Sequence, residues 1–157
     1  MHLPRQRPIS TYGAGKSDVR VQFGALCYRI KDGKTEVLMV TSRSRRRWIV
    51  PKGWPMENKT PGQAAEIEAW EEAGVRGQAV GPSLGVYSYG KIVENGVLLP
   101  CVVMLYPVKV DSLADSWPEK HERKRRWMGR KKAARKTDDP DLAYLIRNFD
   151  PRKLRRA

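Results

Sequence analysis

The stretch Gly53–Val75, GWPMENKTPGQAAEIEAWEEAGV, decides how this chain is read. It describes a short helix introduced by a glycine-bearing loop, with three carboxylates on one face. Thr60 and Gln63 form the Thr-x-x-Gln capping box, in which each side chain satisfies an amide that a helix start leaves unpaired. Pro61 follows at the first helical position, where its missing N–H costs nothing. Gly74 supplies the usual C-terminal stop. Between these signals Glu68, Glu71 and Glu72 stand at i, i+3 and i+4 and share one face of the helix.

Like charges at that spacing repel by roughly a few tenths of a kcal/mol per pair. No Lys or Arg lies three or four residues before any of the three, and only Arg76, beyond the glycine, is placed to reach back toward Glu72. Hard divalent cations such as Mg²⁺ take oxygen ligands of this kind and combine a few protein carboxylates with substrate phosphates. An unpaired acidic cluster in a basic chain therefore points to a metal site. The bland alternative is a solvated helix face, which is what most charged runs are.

At these residues the chain resembles the Nudix hydrolases, whose box reads G-x5-E-x7-R-E-U-x-E-E-x-G-U, with U a bulky apolar residue. Gly53 matches the opening glycine, Glu68 the glutamate of the R-E pair, Glu71 and Glu72 the E-E pair, and Gly74-Val75 the close. The resemblance implies Mg²⁺ or Mn²⁺ as cofactor, held by Glu68, Glu71 and Glu72 beside the backbone carbonyl of Gly53. It also implies that Glu68 or Glu71 serves as base for the attacking water. Three positions depart from the box: Lys59 replaces its first glutamate, Ile67 its arginine, and Ala69 a bulky apolar residue. Ile67 is the serious loss, because an isoleucine cannot donate a hydrogen bond to steer Glu71 one turn on. Some other cation must do so if the site turns over.

The match extends beyond the box. The segment SRSRRRWIVPKGW (42–54) and the run RKRRW (123–127) resemble the branch that cleaves diphosphoinositol and diadenosine polyphosphates, and the order of elements fits that branch from about Val19 to Phe149. By this resemblance Arg43, Arg47, Lys52 and Arg123 hold substrate phosphates, as guanidinium groups match phosphate oxygens in bidentate geometry. Arg125 and Arg20 are further candidates. Arg45 and Arg46 read as general positive field, Trp48 as core packing and His121 as a surface residue. Glu119 or Glu122 would be placed to add a ligand from a loop, although no spacing demands it.

A chain of 157 residues fits one domain, and 40% hydrophobic content with five Trp and six Tyr fits a folded one. The net charge of +14 attracts polyanions: nucleic acid, anionic headgroups or highly phosphorylated small molecules. Cys27 and Cys101 lie in apolar, strand-like sequence without metal-ligand spacing and read as buried free thiols. The N-terminus, MHLPRQRPIS, lacks the apolar segment of a secretory signal. The longest apolar run, Val97–Val108, contains Pro100 and is too short to span a bilayer, so a cytoplasmic location is expected.

Residues 1–17 read as a flexible basic arm, 18–150 as a single domain and 151–157 as a frayed basic tail. Strands are expected over Val19–Ile30, Glu36–Thr41, Trp48–Val50, Gln78–Tyr89 and Val97–Val110, the last two joined by a Glu-Asn-Gly-Val turn. Asp138-Asp139-Pro140 starts a helix in which Leu142, Leu145, Ile146 and Phe149 recur on one face. This order predicts a mixed sheet flanked by helices. The resemblance sharpens it to an α+β, Nudix-like α/β/α sandwich. The function it implies is metal-dependent hydrolysis of a phosphoanhydride in a densely anionic substrate. Two rivals stand beside it: a polyphosphate-binding module that has lost turnover through Ile67 and Lys59, and a nucleic-acid-associated protein acting on RNA 5′ ends.

Overall fold

In the computed structural model, which describes residues 19–92 and 96–154, eight strands form one mixed sheet. They are β1 (Arg20–Lys31), β2 (Lys34–Thr41), β3 (Trp48–Ile49), β4 (Lys52–Gly53), β5 (Val75–Ala79), β6 (Gly85–Ile92), β7 (Leu98–Leu113) and β8 (Arg125–Gly129). Helix α1 (Pro61–Ala73) lies between β4 and β5, while α2 (Arg130–Lys136) and α3 (Pro140–Arg147) follow β8. The central pair, β1 and β7, is parallel, and every other pairing is antiparallel.

Alternation along the strands sorts the core into two layers, as a two-residue side-chain period requires. Leu26, Tyr28, Val37, Met39, Val103 and Leu105 face α2 and α3, in a cluster with Leu142, Leu145, Ile146 and Phe149. Their neighbours Ala25, Cys27, Leu38, Val40 and Val108 face α1 and meet Ala65, Ala69 and Ala73. A sheet buried on both faces is the expected sandwich. Cys27 and Cys101 are buried free thiols, and among the described residues no helix is long and apolar enough to cross a membrane.

A wedge in the sheet positions the site. Strands β1 and β2 pair only near their hairpin, through Tyr28–Lys31 and Lys34–Val37, around a two-residue turn with Asp32 at φ 52° and Gly33 at φ 76°. Positive φ at both turn positions matches the right-handed twist of a tight hairpin. Beyond it the strands part. The edge of β2 is then taken by β3 (Val40 opposite Ile49) and the edge of β1 by β4 (Phe23 opposite Gly53). The segment Trp48–Gly53 thus fills the gap and delivers the chain to the start of α1.

Two expectations are corrected here. The strand expected over Gln78–Tyr89 is two strands, because Gly81, at φ 78°, and Pro82 interrupt it. The interruption stays on the edge of β7 through Val80 N–H to the Pro107 carbonyl (2.9 Å) and Leu84 N–H to the Leu105 carbonyl (2.7 Å). The tail expected to fray instead turns at Pro151–Lys153, where the Asp150 carboxylate accepts from the Arg152 amide, and Leu154 packs against the core. Residues 1–17, residues 155–157 and half of the Glu-Asn-Gly-Val turn, Glu94 and Asn95, lie outside the described residues.

Candidate active site

Helix α1 is built as its sequence requires. The Thr60 hydroxyl accepts from the Gln63 amide at 3.1 Å and the Gln63 side chain accepts from the Thr60 amide at 2.9 Å. Gly74 ends the helix at φ 66°, with its N–H on the Trp70 carbonyl. The face on the sheet consists of Ala64, Ala65, Ala69 and Ala73, all buried, so the helix backbone approaches closely. Close approach is what draws Glu72 in: it is only 4% exposed.

Burial of a carboxylate is costly unless it is paired and hydrogen-bonded. Glu72 meets that demand from two directions. One oxygen accepts from the Lys52 amide at 3.3 Å, and the other lies 3.5 Å from Nη2 of Arg123. The Arg123 side chain, 8% exposed, also donates to Glu119 at 2.9 Å and to the Thr41 carbonyl at 3.1 Å. The loop carrying these groups is fastened to the end of α1. Trp117 Nε1 donates to the Glu72 carbonyl at 3.1 Å and the Glu119 amide to the Glu71 carbonyl at 3.0 Å.

Glu68 lies against the backbone of Gly53, so closely that a Cβ there would sit 2.2 Å from its Oε1. Its carboxyl is pushed up to about 8, chiefly by burial, then by its hydrogen bond with Glu72 and by the charges of Glu72, Glu71 and Glu119. Glu72 is also raised by burial, against the opposing pull of Arg123, Glu68 and Lys52. The Glu71 carboxylate has no hydrogen bond or ion pair among the described residues. No three of these side chains already converge on one point there, since Glu68 and Glu72 face each other instead.

A cleft of about 610 Å³ opens beside this cluster. Lys52 belongs to both, with its amide on Glu72 and its side chain on the cleft wall. The Lys52 ammonium stands 4.8 Å over the Tyr89 ring and is pushed down to about 8, mainly by burial and against the attraction of Glu72. Tyr89 in turn donates to Gln22 at 2.5 Å. The other walls are the 42–49 loop and strand, the middle of β6, and the 137–142 segment that begins α3.

The model of the NUDIX domain matches residues 20–149 of this chain. The chain belongs to the Nudix family. Among its relatives, Nudix hydrolase 12, mitochondrial, of Arabidopsis thaliana is 39% identical over 103 residues, covering 64% of this chain and 51% of the plant protein. The chain thus spans about half the length of that relative. Human diphosphoinositol polyphosphate phosphohydrolase 3-alpha is 36% identical over 124 residues, 77% of this chain and 71% of the human one. A solved structure titled C. elegans Ap4A hydrolase superposes with a TM-score of 0.58 at 23% identity, over 82% of this chain and 94% of that one. A Nudix hydrolase from Nitrosomonas europaea gives 0.66 at 17% identity, over 87% and 92%. At these identities the structures show the fold.

The departures of this Nudix box now have physical settings. Ala69 is fully buried against the sheet, where a larger side chain would lift the helix. Arg123 clamps Glu72 and Glu119 instead of Glu71, so the cation that Ile67 lacks is not replaced at Glu71, whose carboxylate has no side-chain partner among the described residues. Gly53, Glu68 and Glu72 are adjacent, Glu119 joins Glu72 through Arg123, and Glu71 is near enough for its charge to be felt at Glu68. Glu122 instead lies 3.9 Å from Arg43 on the exposed surface.

The predicted phosphate contacts divide. Lys52 and Arg47 line the cleft, and Arg47 lies 3.2 Å from Asp138. Arg43 is exposed and outside the cleft lining, and Arg20 stands at the exposed start of β1 opposite Cys101. Arg125 is engaged at the end of α1, donating to the Ala73 carbonyl at 2.8 Å and the Ala114 carbonyl at 2.7 Å, with its guanidinium 3.9 Å over Trp117. Arg76 stacks on Trp70, 5.2 Å from the ring centre, instead of reaching back to Glu72. Trp48 packs on the core as expected and also lines the cleft. Sequence reasoning missed Tyr87, Tyr89 and the Asp138–Asp141 segment. The two tyrosines carried a faint signal, standing two apart and so on one side of a strand.

Proposed function

We propose that this chain is a divalent-cation-dependent pyrophosphohydrolase that cleaves a phosphoanhydride bond in a densely anionic substrate, a dinucleoside polyphosphate or a diphosphoinositol polyphosphate. The observation that carries this reading is the packing of Glu68 against Gly53 beside the Arg123-clamped Glu72. Support also comes from the relatives, one of which is named for action on diphosphoinositol polyphosphates.

The donor set fits a hard cation. Its members are carboxylate oxygens and one backbone carbonyl, and burial, followed by the neighbouring carboxylates, has pushed Glu68 up to about 8, a shift that a bound cation would oppose. Glu68, Glu71, Glu72 and the Gly53 carbonyl would hold Mg²⁺ or Mn²⁺. When bound, the ion supplies Lewis-acid stabilisation of charge on the phosphate oxygens. Glu72 is the anchor, fixed by Arg123 and the Lys52 amide. Glu68 and Glu71 are the groups able to take the proton of an attacking water at a carboxylate oxygen. Lys52, at the junction of cluster and cleft, would bind a phosphate oxygen and orient the chain of anhydrides.

The test is product release with Mg²⁺ or Mn²⁺ from a diadenosine polyphosphate, a diphosphoinositol polyphosphate, a nucleoside triphosphate and 5′-triphosphorylated RNA. Metal-dependent turnover lost in Glu72→Gln is expected, with either of the first two substrates preferred. Tight binding without product would mean a binding module, and preference for the RNA would mean a 5′-end enzyme.

A further inference from the structure

Glu71 and Glu72 stand on the last turn of α1, the part of a helix least able to hold itself. Its final carbonyls have no amide of their own helix to accept from, and helix ends fray for that reason. The charges make matters worse. Two carboxylates sit at the negative end of the helix dipole, and the last turn carries no basic residue. A fixed place for these groups has to be imposed from outside the helix.

One stretch of chain imposes it. The Glu71 carbonyl accepts from the Glu119 amide at 3.0 Å and the Glu72 carbonyl from Nε1 of Trp117 at 3.1 Å. The Ala73 carbonyl accepts from Nη1 of Arg125 at 2.8 Å, and the Gly74 carbonyl from the Ala114 amide at 2.9 Å. Nη2 of Arg125 then joins the two sides by donating to the Ala114 carbonyl at 2.7 Å. Its guanidinium lies 3.9 Å over the Trp117 ring and brings a positive charge to the negative end of the helix. Gly74 makes room for both groups. A Cβ there would lie 2.7 Å from Cδ2 of Trp117 and 2.8 Å from Nη1 of Arg125.

Arg125 also opens β8, opposite Val40 of β2, and is anchored to the sheet by that pairing. Arg123 lies two residues before it, and the two-residue period of extended chain turns both arginines toward α1. One meets the Glu72 carboxylate and the other the next carbonyl along the helix, that of Ala73. A helix end released by Arg125 and Trp117 would therefore carry Glu72 out of register with Arg123.

We propose that Arg125 and Trp117 are positioning residues, which set where the last turn of α1, with Glu71 and Glu72, stands relative to β8. The consequence for a bound cation rests on the hydrolase reading; the holding of the helix end does not. Amide exchange of the metal-free full chain, followed by NMR, comes first. Trp117→Phe keeps a ring and loses the donor, while Arg125→Lys keeps the charge and loses the fork that reaches two carbonyls. In each variant the Glu119 and Ala114 amides should exchange about tenfold faster, as for loss of one hydrogen bond. The Ala64 amide, on the Thr60 carbonyl at the other end of α1, should keep its native rate. Mn²⁺ is then titrated, with the free ion measured by electron paramagnetic resonance. Its affinity should fall about tenfold in either variant, the effect typical of a group lost behind a metal ligand. A contact that only stabilises the fold would lower the melting temperature and leave Mn²⁺ affinity, measured well below it, at the native value. That result overturns the proposal, as does native exchange at Glu119 and Ala114. A native chain that binds no Mn²⁺ would overturn the hydrolase reading instead, and the exchange rates alone would then decide this one.

Discussion

Arg123 is enclosed between Glu72 and Glu119 and donates to the Thr41 carbonyl as well, so its guanidinium is fully used in holding the site together. Removing one partner of a buried ion pair leaves an uncompensated charge, which typically costs about 3–5 kcal/mol. Arg123→Ala should accordingly lower the melting temperature by roughly 10 °C and abolish turnover, as calorimetry and a product assay would show. Ile67→Arg should raise the rate, because Glu71 has no side-chain partner among the described residues and Arg123 is committed to Glu72 and Glu119. An unchanged rate would show that Glu71 needs no cation beside it. Glu68 gives a second prediction at this scale. Its folded value of about 8 lies above the ordinary 4.5, so the folded protein binds a proton that the unfolded chain releases. That contribution to stability is complete below about pH 4.5 and disappears as pH rises through about 8. Metal-free protein should therefore melt at progressively lower temperature across this window. Glu68→Gln should flatten the slope, and Mg²⁺ should raise the melting temperature most at its alkaline end. A slope unchanged by Glu68→Gln would assign the effect to other groups.

At the scale of elements, the junction of β4 with α1 sets the geometry of the carboxylates. A methyl group at Gly53 would have to displace the Glu68 carboxyl, 2.2 Å away, and the end of a flexible side chain yields more readily than backbone. Gly53→Ala should thus cost less than about 1 kcal/mol in stability, yet lower kcat/KM by about 100-fold or more through misplacement of one ligand. A variant that melts normally and keeps full activity would remove Glu68 from the machinery. Helix α1 was legible in the sequence because its signals are local: the cap at Thr60, the proline at 61, the glycine at 74 and the shared face of three glutamates all lie within one segment. The α3 cap at Asp139 was legible for the same reason. What the sequence hid depends on distant pairings. The wedge formed by β3 and β4 exists only because β1 and β2 part company. Arg123 reaches Glu72 only after the 114–124 loop is fastened to α1 by Trp117 and Glu119. Arg125, a substrate-binding candidate by resemblance within a basic run, donates to the carbonyls of Ala73 and Ala114. A charge count along the chain cannot tell such a residue from its solvated neighbours.

For the molecule as a whole, the charge of +14 makes a prediction of its own. A field of that size raises the local concentration of an anionic substrate and speeds its encounter with the site. Salt weakens this, since the screening length is about 10 Å at 0.1 M and about 3 Å at 1 M. KM for a polyphosphate substrate should therefore climb as ionic strength is raised from low to physiological values, while kcat, set by the carboxylates and Arg123 within the enclosed site, stays nearly constant. The rival reading, in which the positive surface exists to hold an RNA strand, predicts something else. Each phosphate neutralised along a strand releases counterions, and with several contacts log K falls steeply with log salt, with a slope of about −0.7 per phosphate contacted. Measuring KM and kcat across one salt series distinguishes them. A rising KM with flat kcat fits a field that gathers polyphosphates at a site that salt leaves intact. A kcat that falls while KM rises would mean that salt disturbs the site itself.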